Sequence, residues 1–149
     1  MFATSHEPLL YAVSFVSETD SAVPVFDLST VIVDSGCDLL GGGLVQNIVW
    51  EPAGHRLAVS FQQSPLVAVF STRTGRTLAV KPCGWIRGEE DEFATCIEFE
   101  ASFSEGGAVL TVGWSSGRVH HVPLLYSPVG LQATNVEILS APQLFSSPQ

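Results

Sequence analysis

Positive charge is what this sequence has least of. Six lysines and arginines stand against 15 acidic residues, for a net charge of −9. The bases, Arg56, Arg73, Arg76, Lys81, Arg87 and Arg118, are scattered along the chain. Binding along a phosphate backbone needs a clustered positive face, so nucleic acid is not an expected partner. Charge of either sign is scarce. Charged residues make up 14% against 46% hydrophobic, and the mean hydropathy is +0.31. A surface that apolar is expected to be covered by more of its own fold, by a partner or by a membrane. Long apolar runs are absent too. None approaches the ~18 residues of a spanning helix, so no direct membrane span is expected. The first 18 residues lack a basic region and carry Glu7 ahead of their apolar part, which does not read as a signal peptide.

Cysteine is equally sparing: Cys37, Cys83 and Cys96 are odd in number and widely spaced, with no C-x-x-C. A disulfide framework and a zinc site both lack a starting pair. With no N-x-S/T sequon either, a reducing, intracellular location fits. His6 and His55 have no partner at ligand spacing. His120 and His121 are adjacent on a predicted strand and so point to opposite faces, which excludes a shared metal on one face. Gly41–Gly43 lacks the G-K-[ST] ending of a phosphate loop and reads as a flexible connector. No metal or cofactor is expected.

Helical periodicity is nearly absent as well. What is present is a series of short apolar or alternating runs, cut by Gly, Pro, Ser and Asp. They include LLYAVSF, VPVFDL, TVIVD, NIVWEP, RLAVSF, LVAVFST, TLAVKP, TCIEFE, AVLTVGW and RVHHVPL, rich in β-branched and aromatic residues. Three segments share one pattern: Ala12–Glu18, Asn47–Ala53 and Cys96–Ser102. Their aligned aromatics are Phe15, Trp50 and Phe99. Each leads toward a hairpin, and three or four strands per ~40–45 residues is the period of a propeller blade. The expectation is an all-β protein of about three antiparallel blades over residues 1–126, with a mostly disordered tail over 127–149. About three blades cannot close a ring by themselves, so further blades are expected to complete it. A stand-alone β-sandwich interaction module is the main competitor.

The stretch GWSSG, Gly113–Gly117, fits the G-x-S-x-G pattern of a hydrolase nucleophile elbow with Ser115 as nucleophile. An elbow needs a helix next, yet RVHHVPLLY alternates and carries Pro123. The acid of such a triad precedes its histidine, whereas the only acid after Ser115 is Glu137. A tight turn with Gly117 at positive φ explains the stretch without chemistry, and a small serine hydrolase is kept as the remote reading. The acidic run Glu89–Glu92 reads as a solvated loop, or else as a docking site for a basic partner. Pro52 and Gly54, in EPAGHRLAV, mark the turn between the first two strands of a blade.

IVWEPAGHRLAV, VAVFSTRTG, PCGWIRGE and SFSEGGAVLTVGWSSGRVHHVPLLY follow one another in an order that resembles the C-terminal blades of the aladin family of WD-repeat nucleoporins. The resemblance runs from about Leu9 to Tyr126. It implies a propeller scaffold rather than an enzyme. It also implies the nuclear pore complex at the nuclear envelope, support of nucleocytoplasmic transport, and other nucleoporins as partners, including a transmembrane one of the pore membrane. The WD dipeptide is missing, with VPL in its place. No residue is assigned to chemistry. Structural roles are expected for Trp50, Pro52, Gly54, Phe99, Gly113, Trp114, Gly117 and Arg118, the aromatics packing between blades and the glycines holding turns.

Overall fold

A computed structural model describes residues 1–14, 21–32, 40–75, 78–101 and 106–126. Phe15, Cys37, Arg76 and the tail expected over 127–149 lie outside the described residues. Those described form strands joined by turns, with no helix among them. The first sheet has the order β1 (Phe2–Ala3), β2 (Leu9–Ser14), β3 (Ser21–Asp27). A two-stranded ribbon follows, β4 (Val31–Ile32) with β5 (Leu40–Gly41). The middle sheet runs β6 (Val45–Trp50), β7 (Arg56–Phe61), β8 (Leu66–Arg73), β9 (Ala79–Arg87). The last sheet runs β10 (Ala94–Phe99), β11 (Gly107–Trp114), β12 (Val119–Leu125). All pairings are antiparallel between sequence neighbours, as short hairpin connections require. The architecture is all-β and propeller-like, and none of its sheets closes on itself.

The sheets stack, and the sequence pattern follows from the position in the stack. The middle sheet is covered on both faces. Leu57, Val59, Phe61, Ala68, Phe70 and Trp85 pack toward Leu10, Leu28 and Val31, in the region of the first sheet and ribbon. Ala58, Val67, Val69 and Ile86 pack toward Ile97, Phe99, Leu110, Val112 and Trp114 of the last sheet. Two buried faces explain why RLAVSF and LVAVF are nearly continuous apolar runs. The last sheet has one covered face, so its strands alternate. In β10 Ile97 and Phe99 are buried and Glu98 is exposed; in β12 Val122 and Leu124 are buried while His121 and Pro123 are exposed. A two-sheet sandwich contains no sheet covered on both sides, which separates this stack from that architecture.

Strand β6 lies beside both β1 and β10, so the first strands of the three sheets neighbour one another. Asn47 ties two of them: its Nδ2 donates to Ser60 Oγ (3.2 Å) and to the Thr95 carbonyl (3.3 Å). The three-segment repeat therefore maps unevenly. Trp50 ends β6 and Phe99 ends β10, each the first strand of its sheet. Ala12–Ser14 instead ends β2, a second strand, because the two-residue β1 precedes it. The glycine run is no loose connector. Gly41 is in β5, where a Cβ would sit 2.7 Å from Leu66 and 2.8 Å from Trp85. Gly42 and Gly43 have φ of +147° and +127°, and the Gly43 amide donates to the Leu28 carbonyl (2.8 Å).

Candidate functional site

The residues singled out in the sequence, Phe99 apart, gather at two turns, each built around a buried carboxylate. The first turn joins β6 to β7. Trp50 is half-buried, and its Nε1 donates to Thr72 Oγ1 (3.2 Å), which donates to the Gly54 carbonyl (2.6 Å). Pro52 is exposed at the tip, and Gly54 takes φ +79°, a conformation that glycine adopts without strain. Glu51 is buried beneath the tip. Its carboxylate accepts from the amides of Ala53 (3.1 Å) and His55 (3.0 Å), so no acceptor is left without a donor.

The second turn is GWSSG itself, between β11 and β12. Gly113 pairs with Cys96, and a Cβ there would meet its Sγ at 2.6 Å. Trp114 is buried in the cluster between the middle and last sheets, and Phe99 is buried in the same cluster. Gly117 has φ +88° and closes the turn with its amide on the Trp114 carbonyl (2.9 Å). Arg118 lies over the Trp114 ring, its Cζ 5.5 Å from the centroid. Ser115 is consumed by backbone pairing: its amide donates to the Phe93 carbonyl (2.9 Å), and its Oγ accepts from the Phe93 amide (3.2 Å). No histidine bonds to it among the described residues, and a strand follows it where an elbow needs a helix. His121 Nδ1 is engaged with Thr111 Oγ1 (2.9 Å) on the outer face of the sheet. His120 lies on the other face, where burial, ahead of the charge of Arg118, lowers its pKa.

The acidic run behaves differently from a solvated loop. Glu89, Glu90 and Asp91 are exposed, but Glu92 is 7% exposed and reaches into the GWSSG turn. Its carboxylate accepts from Arg118 Nε (3.1 Å) and Nη2, from Ser116 Oγ and from the Glu89 amide (2.8 Å). The Arg118 guanidinium, more than the Ser116 hydroxyl and the Glu89 amide, holds the Glu92 pKa down at about 2. Such a two-pronged, charge-assisted grip fixes the linker after β9 to the hairpin that closes the last sheet. Composition hid this role, since one acid of the four is taken and three are left to solvent. The available signal was Arg118, the sole base beyond residue 87.

These two turns fix strand geometry: both buried carboxylates, and the Ser116 and Thr72 hydroxyls, are taken up in the hydrogen bonds that hold them. Among the described residues, the outward face at each end of the stack is left exposed. Phe2 and Val23 are exposed on the first sheet, Val119 and Leu125 on the last. The chain is similar to Aladin of Arabidopsis thaliana. The two are 32% identical over 88 residues, covering 55% of this chain and 20% of that protein. The chain thus spans about a fifth of the length of the curated relative it matches, a distant and partial likeness to Aladin. No protein-family model matches the chain.

Proposed function

We propose that this chain forms blades of a WD-repeat β-propeller and serves as a non-enzymatic binding platform of the nuclear pore complex at the nuclear envelope, in support of nucleocytoplasmic transport. The observation that carries the proposal is the likeness to Aladin. The stacked, unclosed sheets support it, because a propeller grows by adding such sheets on the faces left open here. In this reading residues 1–126 are blades, and other nucleoporins are the partners, a transmembrane one among them. Further blades cover the apolar surface that the composition made prominent. Trp50, Phe99 and Trp114 pack sheet on sheet, while Pro52, Gly54, Gly113, Gly117 and Arg118 set the turns. No cofactor enters the proposal.

The test is localisation. The complete protein, tagged at its native locus, is expected to give a continuous nuclear-rim signal, and a diffuse cytosolic signal overturns the proposal. A fluorophosphonate probe addresses the hydrolase reading separately: covalent labelling lost on Ser115→Ala would restore it.

A further inference from the structure

Trp50 and Phe99 hold matching places in the repeat, so the middle and last sheets can be laid on each other row by row. Trp50 pairs with Leu57 and Phe99 with Leu110, and all four turn toward the sheet that precedes their own. The neighbouring row in each sheet turns the other way. In the middle sheet it is Val49, Ala58 and Val69, in register across β6, β7 and β8 and packed against the last sheet. In the last sheet it is Glu98, Thr111 and His121, in register across β10, β11 and β12. A carboxylate, a hydroxyl and an imidazole thus stand where the stack elsewhere buries three apolar side chains.

The flanks of this polar row stay apolar. Cys96, Gly113 and Val119 lie on one side, Val109, Pro123 and Leu125 on the other, with Glu100 beside Val109. Val119 is 59% exposed and Leu125 75%. Apolar flanks of this kind mark a face that is covered, and a polar row under a cover needs hydrogen-bonding partners. Thr111 Oγ1 engages His121 Nδ1 (2.9 Å), which orients the ring and leaves Nε2 for the occupant. The chain supplies no base to meet Glu98 and Glu100 among its described residues. Neither residues 1–55 nor residues 119–149 contain a lysine or arginine. Arg118 is held by Glu92, and Arg56, Arg73, Lys81 and Arg87 belong to the middle sheet, behind the last one.

We infer that the outward face of the last sheet seats a protein surface from outside this chain, apolar where it meets Val119 and Leu125 and carrying lysine or arginine opposite Glu98 and Glu100. His121 Nε2 adds a hydrogen bond to that surface. The charges select the occupant, because a neutral or acidic surface would leave two carboxylates desolvated and unpaired. The first sheet of a second copy is such a surface, since it holds no base, and is excluded on that ground. The inference rests on the stacked sheets of the proposed function and not on the pore.

The experiment places a photo-reactive benzophenone amino acid at Val119 or Leu125 of the complete protein in cells and identifies the crosslinked peptide by mass spectrometry. The expected peptide lies outside residues 1–149 and carries lysine or arginine beside the crosslinked residue. A peptide from within residues 1–149 overturns the inference, whether it comes from the same molecule or from a second copy. So does a peptide without a base, or irradiation that yields no crosslink, as a face open to water would give. Glu98→Arg combined with Glu100→Arg is expected to abolish the crosslink through like-charge repulsion, and a crosslink that survives the reversal overturns the inference. Should the reversal change the tryptophan emission, Glu98→Gln combined with Glu100→Gln carries the comparison: a weakened crosslink is expected, and an unchanged one overturns the inference. A diffuse localisation with the crosslink intact removes the pore reading alone. A rim signal with a crosslink inside residues 1–149 removes this inference alone.

Discussion

Arg118, Ser116 and the Glu89 amide converge on the Glu92 carboxylate, so the charge of that carboxylate is tied to the turn it holds. The sign of the pH dependence follows. The folded pKa is depressed from 4.5 to about 2, chiefly by the Arg118 hydrogen bond. The contribution of the clasp is complete above the ordinary value of 4.5, declines as the pH falls, and is gone below about 2. Exchange protection at Phe93 and Ser115, taken relative to the intrinsic rate at each pH, should fall over that interval. Glu92→Gln should show the lowered protection already at neutral pH, and an unchanged acid profile in that variant would count against the clasp. Gly117 belongs to the same turn. At φ +88° a β-branched side chain is strained, so Gly117→Val should cost roughly 1–2 kcal/mol, read as a lowered melting temperature. Ser115→Ala, at an exposed site where water can replace the lost acceptor, should change it little. Gly117 was legible in the sequence because a turn between alternating runs demands such a residue. Glu92 was not, since a run of four acids gives no sign of which one is turned inward.

At the scale of elements, strands were readable wherever one period ruled. β7 coincides with the run RLAVSF, and β8, β10, β11 and β12 lie within a residue or two of theirs. The misses have physical reasons. β9 continues from the predicted TLAVKP through Cys83–Arg87, although Pro82 and Gly84 punctuate it. Proline is tolerated there because β9 is an edge strand with a register shift at that point. Lys81 and Pro82 on this edge also discourage pairing with a stray strand. β1 and β5 have two residues each, too few for any pattern to appear. The link from β9 to β10 depends on one absent side chain. A Cβ on Gly88 would lie 2.6 Å from the Trp114 ring, and that ring is buried. Gly88→Ala should therefore destabilise by ~1–3 kcal/mol through overpacking. A chemical-denaturation midpoint equal to the wild type's would show that the Trp114 ring can yield.

Across the whole molecule, the seam between the middle and last sheets is sealed at one end by Tyr126. Arg56 stacks on its ring at 4.4 Å from the centroid, His55 meets it edge-on at 6.0 Å, and its amide donates to the Gly106 carbonyl (2.9 Å). Burial, reinforced by the charge of Glu51, pushes the Tyr126 phenol up to about 12. A raised folded pKa gives stability that is intact below 10 and lost as the pH climbs through about 12. Alkaline unfolding should fall in that interval, and Tyr126→Phe should move it upward; the same midpoint in both proteins would remove Tyr126 as its source. The repeat along the chain made the propeller-like stack legible, because it reflects one packing unit used several times. Which neighbour covers each buried face was not legible, since alternation sorts residues into faces without naming what lies against them.

The burial of the middle sheet on both faces also orders the molecule in time. Amides of β7 and β8 bond to strands on either side, and both faces above them are shielded from water. Solvent reaches them only when a neighbouring sheet lifts away. Exchange protection should therefore peak at β7 and β8 and fall off toward β3 and β12, and uniform protection across the stack would contradict it. In those terms the middle sheet is the last part to open and the part from which its neighbours are released.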